Sequence, residues 1–543
     1  MKYLNLLFIS LFIVSCQTKT EVDAIYYNAT IYKVDDEFST AEAMAIKNGK
    51  VVETGTSDDL LATYSSDNTV DLEDKYIYPG INDAHAHLFG LGANLRGVEL
   101  KGTSSFNEIV QKLVEFKNET GSTFILGRGW DQNDWATRSF PTKDTLDVLF
   151  PETPVALTRV DGHAMLVNQK ALDLAGITND TDIEGGEIIK ADGKITGVLV
   201  DNPMSLVEDI IPPLSKDEIK EALLKAQAIA IENGLTSLTD AGLSRRVIEV
   251  IEDMYDEGSM KLKMNIMVSN TMEDIDHFLE TGVIKTPRLR VGSVKVYADG
   301  ALGSRGAALK QPYSDQHNHF GAMVIGLEDF DDLAYKLSKT DYQMNTHAIG
   351  DSANSVVLKT YKKHLKDKPN KRWRVEHAQV LDPAEYDYFS KNIIPSVQPT
   401  HATSDMYWAE DRLGEERVKH AYAYKTLLDV AGVLPLGTDF PVEEVNPMLT
   451  FYAAVSRQDT EGFPEGGFQM QNALTRKEAL TGMTKWAAYA AFEEDEKGSL
   501  EKGMYADFII LNEDLMTIDI TKVPQIKVLE TYINGEKVYE KNK

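Results

Sequence analysis

From about residue 80 to residue 440 the chain alternates short apolar runs with longer helix-patterned stretches, and nothing else in it restricts the fold so strongly. A parallel strand pair needs a crossover long enough to hold a helix, so this alternation favours a parallel sheet wound with helices. Eight candidate strands are counted, at 80–88, 235–241, 262–269, 290–297, 342–348, 373–379, 394–398 and 433–439. The helices between them include 216–232, whose start is marked by Ser215 followed by Glu218. Eight such units predict an α/β fold, a (β/α)8 TIM-like barrel with its active site at the C-terminal strand ends.

More than a hundred residues separate the first and second candidate strands, too many for a loop. They predict an inserted subdomain at about 100–213 that rises over the catalytic face. The two ends of the chain read differently. Segments 24–79 and 498–543 are strand-patterned, with Asn48-Gly49 and Asn534-Gly535 as hairpin turns between apolar runs. They are expected to pair into one composite β-sandwich, leaving 80–497 as the barrel unit.

At 543 residues, 43% hydrophobic, the chain can build a large core and a second domain. Its formal charge of -29 argues against nucleic acid or an anionic surface as a partner, because phosphate binding needs excess lysine and arginine. Lys2 and an apolar run at 4–14, too short to span a bilayer, have the form of a signal-peptide core. The run ends in Ile13-Val14-Ser15-Cys16, which resembles a bacterial lipobox, and Cys16 is the only cysteine. A buried core cysteine is the alternative reading. Lipidation predicts a signal peptide at 1–15, a tether at 16–23, no disulfides and attachment to the bacterial cell envelope, with the outer membrane favoured.

Six metal-capable side chains sit in apolar runs: His85, His87, Lys295, His347, His377 and Asp439. In the first strand Asp83, His85 and His87 alternate with Ala84 and Ala86, so one face carries all three polar groups. Histidine and carboxylate at strand ends can hold one or two divalent ions. Zinc suits so histidine-rich a set, although manganese, iron or cobalt could use the same ligands. A second His-x-His, His317 and His319, lies among polar residues and reads as a loop. Lys295 inside a barrel is costly unless paired, for instance with Asp299, or converted by carbon dioxide to a carbamate that could bridge two cations. Asp439 ends the eighth candidate strand, where a helix N-cap is the bland alternative.

The order His-x-His, Lys, His, His, Asp on eight strands resembles the amidohydrolase superfamily over nearly the whole mature chain. The motifs Gly127-Arg128-Gly129-Trp130-Asp131, Asp161-Gly162-His163, Lys295 to Gly300, Glu376-His377-Ala378-Gln379 and Gly437-Thr438-Asp439 resemble the branch holding YtcJ-like proteins and N-substituted formamide deformylases. That resemblance implies that His85, His87 and Asp439 hold the more buried ion, that His347 and His377 hold the second, and that carbamylated Lys295 bridges them. It further implies that Asp439 takes a proton from the attacking water and delivers it to the leaving amine.

The function expected is metal-dependent hydrolysis of carbon–nitrogen bonds in small non-peptide amides of N-formyl or N-acyl type. The same centre would serve a cyclic-amide hydrolase, an esterase or a lactonase, and a non-catalytic lipoprotein that captures ligands or metals is the reading from another class. Candidate substrate contacts are Trp130, His163, Asp299, Arg305, Gln379 and His401, with Asp299 and Arg305 read as pairing with each other. Assembly into a homodimer is left open.

Overall fold

The computed structural model describes residues 19–541; the expected signal peptide and Cys16 lie outside them. Its centre is a parallel sheet of seven strands in sequence order: β1 (Ile81–Ala86), β2 (Leu235–Leu243), β3 (Lys263–Val268), β4 (Leu289–Tyr297), β5 (Gln343–Ala348), β6 (Trp373–His377) and β7 (Ile393–Ser396). These seven agree with the expected strands to within one or two residues at most ends. The helix Lys216–Glu232 starts where expected, with a complete capping box between Ser215 and Glu218.

The eighth expected strand, 433–439, is not a regular strand. Its contact with β7 is a single parallel bridge, Val397 to Leu436. The segment still joins the two sheet edges. Gly437 N–H donates to Val397 O at 3.0 Å, Ala84 N–H to Leu436 O at 3.1 Å, and Asp439 N–H to His85 O at 2.8 Å. The Asp83 carboxylate takes over part of the ladder by accepting from the Thr438 amide at 3.1 Å and the Thr438 hydroxyl at 2.7 Å. Gly437 allows this close approach, since a Cβ there would lie 2.6 Å from His85 N and 2.7 Å from Asp83 Oδ1.

Between β1 and β2 the insertion forms its own six-stranded mixed sheet, built from Val98–Glu99, Ile125–Trp130, Val155–Arg159, Ala164–Val167, Lys194–Asp201 and Gly186–Ala191 in that spatial order. It has its own apolar core, including Trp130, Leu157 and Leu166. At the ends of the chain, a four-stranded sheet and a six-stranded sheet share a core that contains Tyr26, Met44, Ile77, Phe508 and Tyr532. Tyr76–Pro79 pairs antiparallel with Phe508–Leu511, so residues from both termini lie side by side. Both Asn-Gly turns have positive φ at the two central residues, as a tight hairpin requires. Among the described residues no helix is long and apolar enough to cross a membrane.

Candidate metal centre

Strand alternation delivers most of the site. Ser293, Lys295 and Tyr297 share one face of β4, and Asn345 and His347 share one face of β5. On β6 the same rule points Arg374 and Glu376 inward, which would send His377 outward. It does not go there: His377 and Ala378 have φ of 70° and 42°, and this left-handed turn at the strand end swings the imidazole into the barrel mouth. Asp439 is turned in the same way, with φ of 61°. Such backbone is costly for residues other than glycine and persists where surrounding structure enforces it.

The six side chains form one connected cluster. His87 Nε2 lies 3.2 Å from Asp439 Oδ1, and His85 Nε2 lies 3.6 Å from the same oxygen. Lys295 Nζ is 3.1 Å from His85 Nε2 and stands 4.8 Å from the centre of the Tyr297 ring. The His377 ring centre is 5.0 Å from that of His85 and 4.5 Å from that of His347. Ligand atoms of His85, His377 and Asp439 all lie within 4.8 Å of one another.

The donor set fits a cation. Glu376 Oε2 lies 2.6 Å from His85 Nδ1, which puts the imidazole proton on Nδ1 and the lone pair on Nε2. That lone pair lies 3.1 Å from Lys295 Nζ and 3.6 Å from Asp439 Oδ1, so two acceptors stand near each other, an arrangement that a positive charge beside them, the Lys295 ammonium or a bound cation, makes attractive. His377 Nδ1 and Asp439 Oδ1 are buried and have no hydrogen-bond partner among the described residues. Burial, aided by Lys295, pushes His85 down to about 4 against the pull of Glu376, and burial holds His347 and His377 well below the usual range. All three are neutral imidazoles at pH 7, the form that binds metal. Burial pushes Lys295 down to about 8, although Glu376 and Asp439 oppose it.

Five of the six, all but the fully buried His85, form the floor of a cavity of about 650 Å³, roofed by insertion residues that include Arg128, Asp161, His163 and Asp201. Residues 68–539 match the amidohydrolase family. The chain belongs to that family. YtcJ of Bacillus subtilis (strain 168), which carries a provisional description as an amidohydrolase, is 33% identical over 96% of this chain and all of its own length. The N-substituted formamide deformylase of Arthrobacter pascens is 24% identical over 96% of this chain and 98% of its own. An uncharacterized metal-dependent hydrolase from Pyrococcus horikoshii OT3 superposes with a TM-score of 0.75 and 29% identity, covering 92% of this chain and 99% of the other. This amidohydrolase is accordingly a hydrolase on the metal-dependent hydrolase fold, with a candidate His, His, Asp metal group.

The expected substrate contacts divide. His163, Asp299, Gln379 and His401 line the cavity of the amidohydrolase, whereas Trp130 and Arg305 do not. Trp130 is fully buried in the insertion core and donates its indole N–H to Leu157 O at 2.7 Å. Arg305 does not pair with Asp299; it forms a two-point ion pair with Asp315, at 2.8 and 3.2 Å. Asp299 instead accepts the amides of Ala308, Ile349 and Gly350, bracing the strand-end loops. Gln379 donates to Asp405 and Tyr422, and His163 Nδ1 is held 2.7 Å from Asp201. His401 bridges Asp439 Oδ2 at 3.2 Å and Glu443 at 3.1 Å, which orients the Asp439 carboxylate. His319 donates its Nε2–H to Arg305 O at 2.8 Å, within the loop where the sequence places it.

Glu376 and Arg374 escaped the sequence reading as functional residues. Arg374 Nε lies 2.6 Å from Glu376 Oε1, both side chains are wholly buried, and together they set the orientation of His85. The legible signal was two charges at period two in an otherwise apolar strand, since buried charge is tolerated only when paired.

Proposed function

We propose that this amidohydrolase cleaves carbon–nitrogen bonds of non-peptide amides, N-formyl or N-acyl small molecules, at the floor of the roofed cavity. The observation that carries the reading is the convergence of His85, His377 and Asp439, with buried unpartnered acceptors, beneath an enclosure large enough for a small organic substrate. The relative from Arthrobacter pascens, a deformylase of N-substituted formamides, supports the bond type.

His85, His87 and Asp439 would hold one divalent ion, zinc being the best match, and His347 with His377 a second. Bound there, such an ion would lower the pKa of water toward roughly 7 and polarise a carbonyl. Lys295, with its amine near neutrality, is suited to take up carbon dioxide as a carbamate facing His85. Asp439, fixed through Oδ2 by His401, lines the cavity beside the ion site, where its carboxylate would accept a proton from water as the water oxygen bonds to the carbonyl carbon. The same carboxyl then gives that proton to the nitrogen as the carbon–nitrogen bond breaks. Cys16 would carry a lipid that tethers the enzyme to the cell envelope.

Metal analysis together with hydrolysis of N-formyl amines, N-acyl amino acids, hydantoins and esters tests the reading. Turnover is expected in the first two classes. Stoichiometric metal with no turnover of any class, after addition of bicarbonate and divalent ions, would refute it.

A further inference from the structure

The cavity wall carries several charged groups whose partners are supplied by the protein. Arg159, almost wholly buried, donates to Gln132 and pairs with both Asp131 and Asp161. The second oxygen of Asp161 accepts the His163 amide at 3.0 Å, so that carboxylate has no oxygen left over. Asp201 is held by His163, and Glu443 by His401 and Ser404.

Arg128 breaks this pattern. It follows Gly127 in the strand Ile125–Trp130, and its side chain reaches the cavity. Its only hydrogen bond among the described residues is from one terminal nitrogen to Val160 O at 3.2 Å, and its buried Nε has no partner. No carboxylate there lies within ion-pair distance of it. Gly162, with φ of 77°, leaves space beside it: a Cβ at that position would stand 3.2 Å and 3.6 Å from the two terminal nitrogens. A guanidinium has five donors in a planar fork, and out of bulk water it calls for an anion of matching shape. The same cavity is lined by His87, Lys295, His347, His377 and Asp439, so the fork and the metal floor face one enclosure.

We propose that Arg128 anchors a carboxylate on the substrate, so that the compounds cleaved are N-acyl or N-formyl compounds bearing an acid group. The proposal rests on the hydrolase reading of the cavity. The substrate acid lies at the roof, its amide carbonyl at the floor, and the insertion selects for the acid.

The test uses the zinc-loaded full chain and isothermal titration with two probes of equal length: succinamate, which carries one carboxylate and one neutral amide, and succinamide, which carries an amide at both ends. Succinamate is expected to bind roughly 10- to 100-fold more tightly, as a charge-assisted two-point contact would give. Arg128→Gln should abolish that ratio by weakening succinamate to the affinity of succinamide. Arg128→Lys, which keeps the charge without the fork, should retain part of it and serves if the glutamine variant fails to fold. Equal binding of the two probes by the parent, or a ratio that survives in both variants, would overturn the proposal and leave Arg128 as a long-range counter-charge to Asp161. Turnover of N-formylglycine and N-formylglycinamide separates the two readings. A succinamate preference with no hydrolysis of either would count against the hydrolase reading and leave the anchor standing.

Discussion

Replacing Glu376 by Gln removes one charge and almost no volume, yet it should disturb both the barrel and the metal centre. Glu376 is wholly buried between Arg374, at 2.6 Å, and His85, at 2.6 Å. Burial alone would push the carboxyl up; the guanidinium and the imidazole outweigh it and hold Glu376 at about 2. In the glutamine variant an amide N–H faces either Arg374 or His85 Nδ1–H, so donor meets donor on one side. Arg374 keeps its contact with Ala84 O but loses its counter-charge in a wholly buried site. Breaking a buried pair in this way costs about 3–5 kcal/mol. Loss of the carboxylate behind a ligating imidazole lowers metal affinity by roughly 10- to 100-fold. Urea unfolding of the zinc-loaded protein reads the first effect and competition with a chelator the second. The pH dependence has a definite sign: a carboxyl depressed in the folded state contributes stability above its unfolded pKa near 4.5, and that contribution is lost as pH falls toward 2. The parent should therefore lose its advantage over the variant across that window. A variant within about 1 kcal/mol of the parent, with unchanged zinc affinity, would refute the reasoning, since even an ordinary net hydrogen bond is worth that much.

Asp439→Asn should lower kcat by roughly 100-fold or more, the contribution of a positioned proton carrier, with a smaller fall in metal content; retained turnover would remove Asp439 from that role. Gly437→Ala places a Cβ 2.6 Å from His85 N, so the closing segment must shift, at a cost of about 1–3 kcal/mol on thermal unfolding and with weaker metal binding. Trp130→Phe leaves Leu157 O without its donor and should cost about 1–3 kcal/mol in stability while KM stays unchanged, because the indole lies in the insertion core and away from the cavity.

What could be read in the residues was whatever follows from local periodicity and residue chemistry. Alternation in β1, β4 and β5 is a property of the extended backbone, so His85, Lys295 and His347 could be assigned to one interior without coordinates. The Ser215 and Glu218 capping box is similarly local and marked a helix start. Arg374 and Glu376 carried a readable period-two signal as well, but their importance depended on which imidazole stood opposite, a contact spanning almost three hundred residues.

Sequence by itself determined the family, the strand and helix alternation, the identities of the six clustered side chains and the presence of an insertion after the first barrel strand. Only tertiary structure decided how the barrel closes, because the 433–439 segment pairs through Asp83 and a glycine contact where a regular ladder was expected. It also decided that His377 and Asp439 reach the centre through left-handed backbone, which alternation cannot express. Most of all it decided the fate of the polar residues around the cavity. Arg305, Asp299 and His401 find charged or multiple partners within the protein, and Arg128 finds among the described residues only the carbonyl of Val160. The partner of a buried charge is fixed by packing between distant segments, a relation that no local pattern records.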